Sequence, residues 1–577
     1  MHLNPILTEL LRNNELPSQL NLQETMQLRS RANEDLAHID TEIQRLMAKR
    51  EQVQRSLNIY NTILSPARRL LPDILREIFY HCIVRTYPIL SATEAPMVLT
   101  RVCSLWRSVA LSSPRIWTRL HIPLPGNPRV SSKNMMSNSG TLELREKLSK
   151  TMALRCQAVK EWLDRSGSCP LLLSIAHPDE YSTHVGGNRG EEEDDVAGPL
   201  FQVIHPYAPR WAHLRLSMPL RIYQKLEKKI PLDRLSRLQS FTGNISSPGL
   251  SPGAASTPTP LHIIELPSLK KLSLNCLQLT INLGRYQNSW NRLTNIRFES
   301  PVTDTDFLEL LRQCRNLVIL DVNVQVPWLR PESLEPNLAM VLLPHLESLK
   351  LRESGESSPA IFAVNAPSLK LLQYRCPPRY HNTFELRLLR PEELIWLISN
   401  AAASLETLSI EPQAFEPQDV LECLRLAVHV KDLTFGDNLL FDPDSQEGIH
   451  YHDFFDLETF TVPTTEYESS TTSSMPLQTE FLLPKLESLQ VNDGYIIGDD
   501  KMRKILTSRI DAARRRLTSP LRYVKIQFWR QKEHDIVPEI VARARDVGIE
   551  MKLDLVYRPS GSPSVGPLLP SFLLPDH

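Results

Sequence analysis

LPSLKKLSL, residues 266–274, decides how the rest of the chain is read. Leu272 and Leu274 are two residues apart, so on an extended strand they share one face, and Lys271 and Ser273 share the other. Pro267 stands two residues before Leu269, where it ends any helix and sets an extended entry. The L-x-x-L-x-L pattern returns as LTNIRF from Leu293, LVILDV from Leu317, LESLKL from Leu346 and LKLLQY from Leu369. It continues as LETLSI from Leu405, VKDLTF from Val430, LETFTV from Leu457, LESLQV from Leu486 and LRYVKI from Leu521, with WAHLRL from Trp211 as an earlier copy. Pro344, Pro367 and Pro484 repeat the lead-in. From Leu269 onward, starts lie 23 to 36 residues apart, mostly within the ~20–29-residue period of stacked strand–helix repeats.

Between copies the spacing predicts helices over 304–313, 392–402 and 417–426. The last unit reads as a helix over 537–547, Gly548 as its C-cap, then a strand through Ile549, Met551, Leu553 and Leu555. One strand plus one helix cannot bury its apolar side alone, so the units should stack. The leucines then point inward. The outward residues are Lys271 and Ser273, Asn295 and Arg297, Ile319 and Asp321, Ser348 and Lys350, and Leu371 and Gln373. They go on as Thr407 and Ser409, Ser488 and Gln490, and Tyr523 and Lys525. That surface reads as mixed in charge and suited to recognising another protein; a purely structural face is the alternative.

Upstream, Leu36, Ile39, Ile43, Leu46, Arg50, Val53, Leu57, Tyr60 and Leu64 alternate at steps of 3 and 4. They predict a long amphipathic, coiled-coil-like helix with a narrow seam. It either self-associates, packs back on its own chain or stays single. Residues 64–118 predict a small helical block. Pro72 suits a first helical turn, and Ile74, Leu75, Ile78, Phe79 and Cys82 lie on one helix face. Leu99, Val102, Cys103, Trp106 and Ala110 form a second face, and Trp117 closes the block. So many large apolar groups exceed what two or three short helices can bury among themselves.

Here the chain resembles a family. SPARRLLPDILREIF followed by VLTRVCSLWRSVALSSPRIW is similar to the F-box. Its common fungal form runs roughly RRLPPEIL-x-EIF, then L-x-x-VCR-x-WR-x-x-A and a closing Trp. Leu71 replaces the first of the two prolines, and Ser104 the arginine after the cysteine. The preceding helix looks like that of many fungal F-box proteins, and the later repeats look like their leucine-rich substrate-binding region. The resemblance implies docking on a Skp-type adaptor, and through it on a cullin–RING ubiquitin ligase. The matching adaptor-facing positions are Leu70, Pro72, Ile74, Leu75, Ile78, Val102, Cys103, Trp106 and Trp117; service only in an internal core is the alternative. The expected fold is multidomain: an N-terminal segment (1–32), the amphipathic helix (33–63), an all-α F-box (64–118), a connecting region with early irregular repeats (119–260), an α/β leucine-rich-repeat-like solenoid (261–557) and a tail (558–577).

The chemistry expected is that of binding. The 577 residues hold 65 Lys and Arg against 66 Asp and Glu, a formal net charge of -1, so no global field favours nucleic acid or anionic membrane. No apolar run is long enough to span a bilayer, and the chain reads as cytoplasmic or nuclear. The 8 cysteines form no CxxC, which predicts free, mostly buried thiols. No phosphate-loop, dinucleotide, zinc-protease or serine-elbow motif is present, so neither catalysis, cofactor nor metal is expected. His450-Tyr451-His452-Asp453 reads as a solvated turn rather than a metal site, and Arg514-Arg515-Arg516 as a helix end complementing the dipole rather than a nuclear-localisation or phosphate patch. Polar or low-complexity stretches at 125–142, 184–198, 244–260, 463–479 and 558–577 read as loops or tail. The acidic run in the second could alternatively dock a basic partner.

Overall fold

The L-x-L strands lie side by side in a single 14-stranded sheet whose spatial order follows the chain. The computed structural model describes residues 8, 11–12, 16–124, 138–177, 197–246, 261–275, 287–325, 339–354, 358–376, 379–380, 386–387, 391–412, 415–436, 455–462, 481–495, 497–528 and 530–557. The chain divides into two units, Met1–His81 and Cys82–His577.

The first unit holds α1 (Gln19–Leu64) and α2 (Pro72–His81). The Ser18 side chain caps α1 by accepting from the Asn21 amide at 3.4 Å. The second unit holds α3 (Ser104–Leu111), α4 (Asn138–Arg165), α5 (Gly198–Ile204), α6 (Leu220–Lys229), α7 (Asp304–Gln313), α8 (Glu392–Ala401), α9 (Pro417–Leu426), α10 (Asp499–Arg514) and α11 (Val537–Asp546). The block 64–118 therefore falls across the division.

The strands of the sheet are β1 (Arg119–Pro123), β2 (Leu171–Ala176), β3 (Trp211–Pro219), β4 (Ser240–Ser246), β5 (Lys271–Asn275), β6 (Asn295–Thr303) and β7 (Ile319–Gln325). They continue as β8 (Ser348–Ser354), β9 (Leu371–Arg375), β10 (Thr407–Ile410), β11 (Asp432–Phe435), β12 (Ser488–Tyr495), β13 (Tyr523–Phe528) and β14 (Lys552–Tyr557). Every neighbouring pair is parallel. Parallel neighbours need a crossover, and the stretch between one strand and the next provides it.

Inward residues are buried through the middle of the sheet, among them Leu272, Leu274, Ile296, Phe298, Leu320, Val322, Leu349 and Leu351, and become half-buried in β14. Each such side chain stabilises the fold by about 1.5–3 kcal/mol on burial. Gly243 takes an inward position where other strands place a large residue. A Cβ there would meet the Phe241 ring at 2.9 Å and Leu274 at 3.2 Å, so the Phe241 ring fills the space instead. Gly548 ends α11 with φ 77°, the left-handed cap its position predicts.

One sequence reading needs correction. LETFTV is not a strand, because Leu457–Phe460 forms a 3-10 turn and β11 pairs directly with β12. The Phe460 carbonyl accepts from buried Arg509 at 2.9 Å, and its ring packs against Phe435 and Phe455. The local leucine pattern is satisfied by that cluster rather than by a ladder. Residues 119–260, expected to hold early irregular repeats, contain β1 to β4, with WAHLRL in β3.

Candidate functional site

α2 begins at Pro72, whose fixed φ and missing N–H cost nothing in a first turn. Asp73 follows in that turn and pairs with Arg76 one turn on. Leu75 and Phe79, at i and i+4, are fully buried. Leu71, Ile74 and Ile78 form a separate stripe that stays in solvent, Ile74 being 50% and Ile78 37% exposed. Leu70 is half-buried and Pro72 exposed. Of the positions that the resemblance assigns to an adaptor, Leu75 is therefore a core residue, while Ile74 and Ile78 are on the surface.

In the second unit the face expected through Leu99, Val102, Cys103 and Trp106 is broken. A 3-10 turn spans Val98–Arg101, and α3 starts at Ser104. Cys103 is exposed and caps α3, its Sγ accepting from the Trp106 amide at 3.4 Å. It stands at the helix N-cap and not on the helix face. Arg107 Nε donates to the Thr100 carbonyl at 2.8 Å and ties the two turns together. Val102 (57% exposed), Leu105 and Leu111 face solvent, and Trp106 is half-buried. Trp117 is fully buried. Its Nε1 donates to the Ala110 carbonyl at 2.9 Å, and its ring meets Trp162 of α4 edge-on at 4.9 Å. Arg165 lies over the same ring at 4.9 Å. Trp117 joins α3 to α4 as internal core and presents no surface to a partner.

The ten outward residues expected to contact substrate all fall on one face of the sheet, in two rows. Lys271, Asn295 and Ser348 stand in register with Ile319 between them. Ser273, Arg297, Asp321, Lys350 and Gln373 form the second row, which Gln490 and Lys525 extend on β12 and β13. Lys271 and Arg297 are exposed, and the others half-buried, except Asp321 at 5% exposure. Asp321 accepts from Arg297 at 2.7 Å and from Arg352 at 3.2 Å, so it organises the face rather than offering an open contact. The reading from L-x-L stopped one step short. Continuing the alternation by two residues places Arg352 and Arg375 on the same face, and β3 adds His213 and Arg215. Burial, then Lys271 and Arg119, hold the His213 imidazole below its ordinary range; burial, then Arg215 and Arg85, do the same for His121.

Among the described residues no cluster of three or more His, Cys, Asp or Glu is arranged to hold a metal. His450, His452 and Asp453, Cys276, and most of the stretches read as loops or tail lie outside the described residues. Cys156, Cys314, Cys376 and Cys423 are buried free thiols, Cys82 and Cys103 are exposed, and burial pushes the Cys423 thiol up to about 12. No helix of the described residues is long and apolar enough to cross a membrane.

The densest polar network is internal. Asp499, fully buried at the first position of α10, accepts from Arg530 at 2.5 and 3.2 Å, from the Glu533 and His534 amides at 2.9 Å each, and from the Tyr557 hydroxyl at 2.7 Å. Burial alone pushes its carboxyl up. The Arg530 guanidinium, the His534 amide, the Tyr557 hydroxyl and the Glu533 amide together hold it far below the usual carboxylate range. Arg530 also covers the stacked Phe528 and Tyr557 rings, so the network locks the C-terminal strands to α10. It is filled by its own partners and leaves no group for chemistry. Compared with protein-family models and with curated proteins, the chain matches none.

Proposed function

We propose that this chain is a non-catalytic substrate-recognition subunit of a cullin–RING, SCF-type ubiquitin ligase acting in the cytoplasm or nucleus. The segment 64–118 is an F-box that docks on a Skp-type adaptor, and the later strands are a leucine-rich-repeat-like solenoid that binds a protein substrate. The observation that carries this is the apolar stripe Leu71, Ile74 and Ile78, left in water within the stretch that resembles an F-box. Val102, Leu105 and Leu111 offer a second exposed apolar group in the same stretch. Aliphatic side chains like these become binding energy when a partner covers them. The sequential parallel sheet supports the repeat half of the reading. The contribution to ubiquitin transfer is proximity, not chemistry.

Co-elution of the purified chain with a Skp-type adaptor tests this. Ile74→Asp with Ile78→Asp abolishes the complex, and so does Val102→Asp. Trp117→Ala is not a valid probe, since it empties the core. Undiminished co-elution of both surface variants overturns the reading.

A second reading has its own observation: no residue of α1 is buried along 46 positions. A narrow apolar seam so exposed suits a second copy of the chain, and the protein is then a self-associating interaction scaffold outside any ligase. Sedimentation of the intact chain against one lacking 1–62, with no adaptor bound by either, distinguishes it.

A further inference from the structure

The chain as a whole is balanced in charge, but one face of its sheet is not. Among the described residues of β3 to β9, the outward face carries six cations: Arg215, Lys271, Arg297, Lys350, Arg352 and Arg375. Against them stand two carboxylates, Glu299 and Asp321. Asp321 is already shared between two arginines, and Asn275 donates to Glu299 at 2.9 Å. Arg352 and Arg375 stand directly opposite one another in the ladder. Lys350 makes no ion pair among the described residues, although it stands in register with Asp321.

We propose that the outward face of β3 to β9 is a docking surface for a carboxylate-rich, extended segment of a partner protein. The inference deepens the substrate-binding half of the proposed function and rests on that half alone. Charge complementarity supplies the occupant. The cations are spread across six strand spacings, about 29 Å at ~4.8 Å each. That is the reach of roughly nine extended residues, whereas a single phosphate group would need its donors converged on one point. Nucleic acid fits less well. Among the described residues of these strands the outward face holds no Phe, Tyr or Trp to stack a base, only the His213 imidazole, and a net charge of -1 gives no long-range attraction to a phosphate backbone.

The test is fluorescence anisotropy of the full chain with a labelled peptide of ten glutamates, a peptide of ten glutamines and a single-stranded oligonucleotide of ten bases. The glutamate peptide binds, the glutamine peptide does not, and affinity falls as salt is raised from about 50 to 300 mM. Arg215→Glu combined with Lys350→Glu weakens glutamate-peptide binding about tenfold or more. Arg215→Gln with Lys350→Gln weakens it less, and circular dichroism of each variant confirms the native fold. Lys228→Glu, exposed in the last turn of α6 and outside the sheet face, leaves it near the wild-type value. No binding of the glutamate peptide, equal binding after a folded double substitution, or tighter binding of the oligonucleotide overturns the proposal. Adaptor co-elution, measured on the same preparations, separates failure of this surface from failure of the adaptor reading.

Discussion

Helices α1 and α10 both repeat apolar residues at helical spacing, and they end in opposite surroundings. None of the 46 residues of α1 is buried, while eight of the 16 in α10 are. The stripes differ in width. The α1 seam takes one residue at steps of 3 and 4, with polar groups such as the Glu42–Arg45 and Glu51–Arg55 pairs close on either side. In α10, Met502, Ile505, Leu506 and Ile510 cover a broad face, which packs against α11 and the turn Leu457–Phe460. A broad face is covered within its own fold. A narrow seam matches another helix of the same kind, and in this chain it is still uncovered.

The comparison breaks most visibly at Asp499. Asp499→Ala leaves Arg530 without its carboxylate and should cost about 3–5 kcal/mol in chemical denaturation, with α10 and the last strands loosening together. Leu506→Ala in α10 should cost about 2–5 kcal/mol, because the side chain is fully buried. The counterpart in α1, Leu46→Ala, should shift stability by less than about 0.5 kcal/mol in the monomer. A loss above about 2 kcal/mol from Leu46→Ala at low protein concentration would mean that α1 is covered after all.

Acid sharpens the same contrast. The folded-state pKa of Asp499 is lowered, so its contribution is present above the unfolded carboxylate value near 3.9 and is lost as pH falls through the folded value. The stability gap between wild type and Asp499→Asn should therefore be constant from about pH 7 to 5 and narrow below about pH 4. A gap that does not change down to pH 2 would remove the network from the account.

The smallest effect concerns the sheet face. The pKa of His213 is lowered, so the folded state resists its protonation; its share of stability is complete above the unfolded value near 6.5 and declines as pH falls below it. His213→Gln should leave the melting temperature nearly unchanged at pH 8 and blunt its decline toward pH 5.5. An identical decline in both proteins would mean that neither burial nor the charges of Lys271 and Arg119 hold this ring neutral.

Much of the sheet was legible in the chain, since a period of two is a local property. Lys271, Ser273, Arg297 and Lys350 were assigned to the outward side because leucines flank them, and their register places them there. Gly548 was legible for the same reason. The strand expected at Leu457 was not, because a turn and a strand bury similar leucines, and a contact with Arg509, some 50 residues on, chooses between them. β1 and β2 carry the pattern too loosely to be singled out, and Leu171–Ala176 can equally be read as a short buried helix.

The candidate surfaces divide along the same line. Apolar spacing alone marked 64–118 as richer in large side chains than its short helices can cover, and the periodicity alone marked a stack of strand–helix units. Which apolar residue becomes core and which stays in water was decided by tertiary packing. Trp117 is interior because Trp162, 45 residues on, meets its ring, while Ile74 remains 50% exposed. The charge of the sheet face likewise emerged only when register brought Arg215, Arg297, Lys350 and Arg375 onto one surface. Periodicity sets which way a side chain points; only the neighbours that the fold brings alongside determine what it points at.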